Sequence, residues 1–265
     1  MNPQHLAMIS AIVHAGSISK AAAAMGCGKS VLSRQLARLE ADLGSRLIQR
    51  STRRLTLTEI GELVFAQAQQ IDRAVADLSD AAAIRAAVVS ILRQSRKAGL
   101  ERISTAFKAA PFASQAATMS YCYLTDCAVA AAYDAALRYM HPRQAATTSE
   151  QLAIVAVGGY GRGGMAPFSD VDLLFVIPYK MTAWAESVIE QMLYIFWDLK
   201  MKIGHASRTI KDCIRIGRED YTVRTALLEL RPLIGETLMA EELKTRLQRD
   251  LFQNTTPEFI EVADI

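Results

Sequence analysis

Two aspartates near the middle of the chain could carry out phosphoryl-transfer chemistry. Asp170 and Asp172 open an apolar segment of strand length that continues to Ile177. Because side chains two apart on a strand point to the same face, the two carboxylates are predicted to lie close together. They would repel each other unless cations lie between them, and oxygen-rich sites of this kind suit Mg²⁺. Two metal ions about 3.5–4 Å apart can activate an attacking oxygen and stabilise a leaving phosphate. We therefore predict that Asp170 and Asp172 are catalytic residues and Mg²⁺ ligands.

A glycine-rich turn precedes these aspartates. The apolar run 153–157 has the length of a buried strand and leads into a Gly-Gly-x-Gly-Arg sequence, with ten residues between Gly159 and Asp170. Glycines lack a Cβ, so backbone N–H groups in such a turn can approach a phosphate closely. An arginine beside the turn offers a forked cation to a triphosphate. The predicted nucleotide-binding residues are Gly158, Gly159, Gly161, Arg162 and Ser169.

The first sixty residues follow a helix-turn-helix pattern. Hydrophobic spacing predicts helices over 3–14, 20–25 and 30–43, with a glycine-containing turn at 26–28. In this arrangement the last helix enters the major groove of DNA. The alternating basic segment 46–57 predicts a two-stranded wing. The candidate DNA-binding residues are Ser30, Ser33, Arg34 and Arg38 on the helix and Arg53 and Arg54 on the wing.

Positive charge is concentrated in the same region. Residues 1–60 hold eight Lys or Arg against three Asp or Glu, whereas the whole chain has a net charge of only +3. Such asymmetry indicates a nucleic-acid-binding region, the alternative being a solvated basic face. Arg34 and Arg38 lie at i and i+4 and can pair with guanine edges or phosphates. The predicted buried face of the same helix is Val31, Leu32, Leu36 and Leu39.

A long helix is predicted over residues 58–80. Its apolar residues repeat at 4-3-4-3 spacing, which is typical of a short coiled-coil seam formed by Val64, Ala68, Ile71, Val75 and Leu78. The seam predicts a homodimer; the alternative is a helix that packs within its own chain. We divide the chain into a helix-turn-helix with its wing at 1–58, a linker helix at 59–85 and a catalytic domain with helical flanks at 86–265, which carries the glycine turn and the two aspartates.

The N-terminal residues resemble a known family. The segments that carry the resemblance are 15–17, 21–23, 33–44, 47–50 and 54–61, and they are similar to the LysR-type winged helix-turn-helix. The resemblance covers residues 2 to about 80 and implies binding of duplex DNA and dimerisation through the long helix. Lys29 departs from the family, which usually has glutamine before the recognition serine.

The glycine turn and the Asp-x-Asp pair resemble the polymerase-β-type nucleotidyltransferases. Over about residues 86–260 the chain is similar to the uridylyltransferase domain of the bacterial PII uridylyltransferase/uridylyl-removing enzyme, through segments 155–163, 166–175, 192–194, 197–199, 202–209 and 225–229. This resemblance implies transfer of UMP from UTP to a tyrosine hydroxyl of the PII signalling protein.

Several residues are interpreted through this second resemblance. Gly164 stands where the family usually has glutamate. Glu229 is a candidate third carboxylate, the alternative being a glutamate on a helix surface. His205 and Arg208 are expected to follow a short strand and either to contact the nucleotide or to have a structural role. Because the chain ends at Ile265, inside the nucleotidyltransferase region, we expect it to lack the HD and ACT domains of the family.

The composition excludes bulk disorder, since 51% of residues are hydrophobic and 22% are charged. No apolar run reaches the roughly 18 residues of a membrane span, and the four cysteines show no zinc spacing, so we expect a cytoplasmic protein with free thiols.

The predicted fold is mainly α with a small α+β core. The leading interpretation is a magnesium-dependent nucleotidyltransferase with a DNA-binding head. The alternatives are a LysR-type transcriptional regulator with an inert C-terminal fragment, or an inactive fusion product.

Overall fold

The computed structural model describes residues 8, 11–13, 15–24, 28–42, 48–50, 55–57, 66, 70, 80–142 and 149–253. These residues are mainly helical with a small mixed sheet, which confirms the predicted fold class. The chain divides into two compact units, residues 1–95 and 96–265. None of the described helices is long and apolar enough to cross a membrane.

The N-terminal unit contains the predicted helix-turn-helix and wing. Its described elements are helices α1 (Ile18–Ala24) and α2 (Lys29–Asp42) and the antiparallel strands β1 (Ile48–Arg50) and β2 (Leu55–Leu57). Gly16 ends the preceding helical stretch with φ of +60°, a backbone conformation that glycine adopts without strain. The wing is tied to α2 because the Ile48 amide donates to the Glu40 carboxylate over 3.0 Å.

A small apolar core holds this unit together. Its buried members are Met8, Ile12, Ile18, Ala21, Ala22, Leu32, Leu36 and Ile48. The small alanines of α1, Ala21 and Ala22, are buried with Leu32 and Leu36 of α2. Of the predicted buried face of α2, Leu32 and Leu36 are buried and Val31 is 39% exposed, while the Leu39 side chain lies outside what the structure describes. Ala66 and Gln70 are helical, but the seam residues of the predicted linker helix lie outside the described residues, as do Arg53 and Arg54.

The second unit is built on a four-stranded sheet. Its strands are β3 (Ala153–Ala156), β4 (Val171–Ile177), β5 (Ile203–Thr209) and β6 (Arg231–Gly235), in the order β5-β4-β3-β6. Strands β4 and β5 are parallel, whereas β3 is antiparallel to both β4 and β6.

The described part of the chain contains further helices after α2. In chain order they are α3 (Ala81–Ala109, which crosses the boundary between the units), α4 (Ser114–Ala135), α5 (Gly158–Gly161), α6 (Ala183–Asp198), α7 (Ile210–Glu219), α8 (Tyr221–Leu228) and α9 (Thr237–Leu247). Helices α4 and α9 each continue into a π-helical turn, Ala136–Met140 and Gln248–Phe252. The described cysteines, Cys122, Cys127 and Cys213, are free thiols.

The strand order brings three chain segments to one edge of the sheet. Leu174 and Val176 of β4 pack into a core with residues of β3, α7 and α9, and Asp172 lies on the same face of β4. Because β3 and β4 are antiparallel, the end of β3 lies beside the start of β4. Because β4 and β5 are parallel, the start of β5 lies there too. The glycine turn after β3, Asp172 and the first residues of β5 therefore meet.

Candidate active site

Asp172 is held between two glycines. It pairs in register with Gly204 of the neighbouring strand β5, and Gly158 opens the turn after β3. A Cβ added to Gly204 would lie 2.3 Å from Asp172 Oδ1, and one added to Gly158 would lie 3.4 Å from Asp172 Oδ2. Gly158 also has φ of +58°, which disfavours any larger residue there. The missing side chain of Gly204 leaves the space that the carboxylate occupies, whereas a Cβ at Gly158 would only reach ordinary contact distance.

The two aspartates differ in their surroundings. Asp172 is half-buried on β4, whereas Asp170 is exposed and lies one residue before the strand instead of on it. Burial raises the pKa of the Asp172 carboxyl, and the negative charge of Asp170 raises it further. The two carboxylates thus interact unfavourably in the metal-free protein.

The glycine turn packs against the segment that follows α8. A Cβ added to Gly161 would overlap the backbone carbonyl oxygen of Glu229, so the turn can approach this segment only with glycine at that position. The Arg162 guanidinium lies 3.3 Å from the Glu229 carboxylate. With 66% of its side chain exposed, Arg162 is in an ion pair of the kind that contributes about 0–1 kcal/mol. It can therefore exchange this partner for a more highly charged anion.

The loop between the glycine turn and β4 carries Ser169. Its amide donates to the Ala166 carbonyl over 3.2 Å and closes a turn. Within this turn Phe168 has φ of +67° and is 94% exposed. Ser169 is itself exposed, beside Asp170.

The donor set fits Mg²⁺. This ion keeps several water ligands and binds proteins through one or two carboxylates together with substrate phosphates. Asp170 and Asp172 supply two carboxylates, and the repulsion between them is relieved by a cation. Among the described residues, no group of three or more His, Cys, Asp or Glu could hold a metal ion. Glu229 is instead paired with Arg162.

Two residues considered from the sequence lie elsewhere than expected. His205 and Arg208 are on β5 itself, not after it. His205 is exposed, and its ring meets Phe175 edge-on with centroids 6.5 Å apart. Gly204, next to His205, was missed as a site residue. Its signal in the sequence is a glycine inside a strand, which often marks the close approach of another group.

The candidate DNA-binding residues that the structure describes lie on α2. Ser30 and Arg34 are exposed, Ser33 is partly buried, and the Arg34 Nε donates to the Ser30 carbonyl over 3.3 Å. The backbone of Arg38 continues the same helix.

Comparison with known proteins identifies the two parts of the chain separately. Residues 3–62 match the family model described as "Bacterial regulatory helix-turn-helix protein, lysR family". Two bifunctional uridylyltransferase/uridylyl-removing enzymes are similar to most of the chain. The enzyme of Ruegeria pomeroyi is 54% identical over 198 residues, 75% of this chain and 22% of that enzyme. The enzyme of Cereibacter sphaeroides is 49% identical over 182 residues, 69% of this chain and 20% of that enzyme.

The chain therefore joins a LysR-type helix-turn-helix to a region similar to the uridylyltransferase/uridylyl-removing enzymes. It spans about a fifth of the length of these relatives.

Proposed function

We propose that the chain is a magnesium-dependent nucleotidyltransferase that transfers UMP from UTP to a tyrosine hydroxyl of PII, and that its N-terminal head binds duplex DNA as a homodimer. The observation that carries the catalytic half is the position of the Asp172 carboxylate, next to Asp170 and against the first glycine of the turn. The similarity to uridylyltransferases supports UTP as the donor and PII as the acceptor.

In the proposed reaction the tyrosine oxygen attacks the α-phosphorus of UTP. A bond forms between that oxygen and phosphorus, the bond to the β-phosphate breaks, pyrophosphate leaves, and the tyrosine proton is released to solvent or base. Asp170 and Asp172 would hold Mg²⁺, which supplies electrostatic stabilisation of the charge that develops on the phosphates.

The other site residues would orient the nucleotide. Gly158 and Gly159 have no side chains, so their backbone N–H groups can approach the triphosphate. The Gly161 N–H donates to the Val157 carbonyl over 3.1 Å, so Gly161 would contribute by letting the turn pack against Glu229. Arg162 would exchange its exposed pairing with Glu229 for the phosphates, because a forked guanidinium matches their geometry. Ser169 would contact the nucleotide from the loop before Asp170.

The catalytic half is tested with labelled UTP, magnesium and PII. We expect label on PII with the wild-type chain and loss of on the order of a thousandfold or more in rate for Asp170→Asn and Asp172→Asn. Asp198→Asn, an exposed aspartate at the end of α6, is the matched control and should keep wild-type activity. Melting curves with and without Mg-UTP should show a stabilising shift in wild type and control that the two site variants lose. No label and no shift with wild type would favour the alternative of a DNA-binding regulator with an inert C-terminal region.

The DNA-binding half rests on the exposed Ser30 and Arg34 at the start of α2, where helix-turn-helix proteins contact base edges. Titration of duplex DNA should show an affinity that falls steeply with salt, because each neutralised phosphate releases counterions. Binding that is absent or independent of salt would refute this half alone.

A further inference from the structure

Tyr160 is anchored from outside the glycine turn. It lies in the middle of the turn, is only 1% exposed, and its hydroxyl donates to Asp126 Oδ1 over 2.5 Å. Asp126 belongs to α4, thirty-four residues earlier in the chain. The turn is therefore tied to a helix of the flanking region.

Arg231, the first residue of β6, completes this cluster. Its guanidinium donates to both Asp126 oxygens, over 2.9 Å and 3.0 Å, which is a bidentate pair. It also donates to the Tyr160 carbonyl over 3.4 Å and lies over the Tyr160 ring, 5.4 Å from the centroid. Helix α4 and strand β6 thus both hold the same residue of the turn, one through its hydroxyl and the other through its ring and backbone.

The composition of the glycine turn explains why its conformation depends on the Tyr160 side chain. Gly158, Gly159 and Gly161 have no side chains, so the Tyr160 side chain is what can fix this stretch of backbone to its surroundings. Glycines also lose more conformational freedom than other residues when they are ordered. Without an anchor, the N–H groups would not be preorganised for a phosphate.

We propose that Asp126 and Arg231 are positioning residues that act through Tyr160 to hold the glycine turn in its phosphate-binding conformation. The proposal rests on the proposed nucleotidyl-transfer function for its consequence, but the geometry of the turn can be tested separately. Burial, reinforced by the Asp126 charge, raises the pKa of Tyr160 well above its usual value. Tyr160 therefore stays a hydrogen-bond donor throughout the physiological range.

The test compares two tyrosine-to-phenylalanine substitutions in the full chain. Tyr160→Phe removes only the hydroxyl that meets Asp126. Tyr133→Phe is the matched control, since Tyr133 is equally buried, lies on α4 and donates to a backbone carbonyl, that of Leu152, over 3.4 Å. Asp126→Asn is the second variant, because it weakens the same link from the opposite side.

Two measurements read out the turn and the nucleotide separately. Amide hydrogen exchange of the peptide covering 158–163 should become at least about tenfold faster in Tyr160→Phe, which loses a hydrogen bond to a charged group, and should also become faster in Asp126→Asn, which removes the charge from that bond. It should stay unchanged in Tyr133→Phe. The KM for UTP should rise by about tenfold or more in the first two variants, with a smaller change in kcat, because the phosphate-binding groups are less well ordered.

Equal exchange of this peptide in Tyr160→Phe and Tyr133→Phe would overturn the proposal. Faster exchange confined to Tyr160→Phe and Asp126→Asn would support it. If that result is obtained while the wild-type chain shows no response to Mg-UTP, the anchoring role stands and the proposed nucleotidyl transfer fails. Faster exchange with an unchanged KM for UTP would overturn the link between the anchor and the phosphate site.

Discussion

Gly204→Ala should displace the Asp172 carboxylate without unfolding the protein. The added Cβ would lie 2.3 Å from Asp172 Oδ1, whereas ordinary van der Waals contact begins at 3.4 Å, so Oδ1 must move by 1.1 Å (3.4 − 2.3). The nearest backbone atom of Asp172, its Cα, is 4.0 Å from the added carbon. Rotation of the Asp172 side chain can therefore relieve the clash while the strands stay paired.

The expected cost falls on catalysis. A misplacement of about 1 Å in a catalytic group can reduce the rate about 10²-fold, which corresponds to about 2.7 kcal/mol of transition-state stabilisation. We expect a loss of this size in UMP transfer and a smaller Mg-UTP shift in the melting curve. We expect the free energy of unfolding without ligand to change by less than about 1 kcal/mol, because the clashing atom is the movable end of a side chain.

Gly164→Ala is the control for this experiment. Gly164 lies at the end of the same glycine-rich segment, but a Cβ there would meet Thr118 at 3.6 Å and 3.8 Å, which is ordinary contact. Urea unfolding, melting curves with and without Mg-UTP, and transfer rates should be measured for both variants. Wild-type transfer and a wild-type Mg-UTP shift in Gly204→Ala would refute the inference that the glycine sets the position of Asp172.

Three further predictions concern the turn before β4, the start of α7 and the DNA-binding head. Phe168→Gly should raise the free energy of unfolding by about 0.5–1 kcal/mol in urea titrations, because glycine adopts the φ of +67° without the left-handed penalty and little packing is lost from an exposed side chain; a less stable variant would contradict this. Asp212→Asn should lower stability at pH 7 by about 0.5–1 kcal/mol through loss of the capping box with Thr209. Hydrogen bonds from Thr209 lower the pKa of Asp212 below its usual 3.8. The stability that the Asp212 carboxylate contributes is therefore present above about pH 4 and is lost as the pH falls through the folded-state pKa. A difference in stability between variant and wild type that does not depend on pH would argue against this prediction. In DNA titrations, Arg34→Ala should reduce base discrimination by about 1–3 kcal/mol, whereas Arg53→Ala should weaken all sequences alike; equal loss on every sequence for both would contradict the proposed base contact.

Much of the fold could be predicted because its signals are local. The apolar runs that became β3 and β4 stand out as short hydrophobic segments, and glycines or prolines bound them. The helix-turn-helix could be located from the spacing of its apolar residues and from the glycine-containing turn at 26–28. Val31 shows the limit of this reasoning. It has the residue type and the approximate spacing of a core position, but its side chain is exposed to solvent.

The residues that position the candidate site from other strands and helices could not be predicted in the same way. Asp170, Asp172 and the glycine turn lie within fifteen residues of one another, so they can be recognised as one motif in the sequence. Gly204 reaches Asp172 only through the register between two parallel strands, and hydrophobic periodicity does not specify which residues of neighbouring strands stand opposite each other.

The sequence does single out Asp126 and Arg231, but it does not show which residue each of them pairs with. Each is a charged residue inside an otherwise apolar or small-residue element, α4 or the start of β6, and a charge in such a place must be paired or hydrogen-bonded to be tolerated. The sequence thus indicates that each needs a partner, but the two residues are 105 positions apart in the chain and only the fold brings them together. Their meeting on Tyr160 makes α4 part of the same structural unit as the glycine turn. A substitution in α4 that weakens this link should therefore raise the KM for UTP, although no residue of α4 needs to contact the nucleotide.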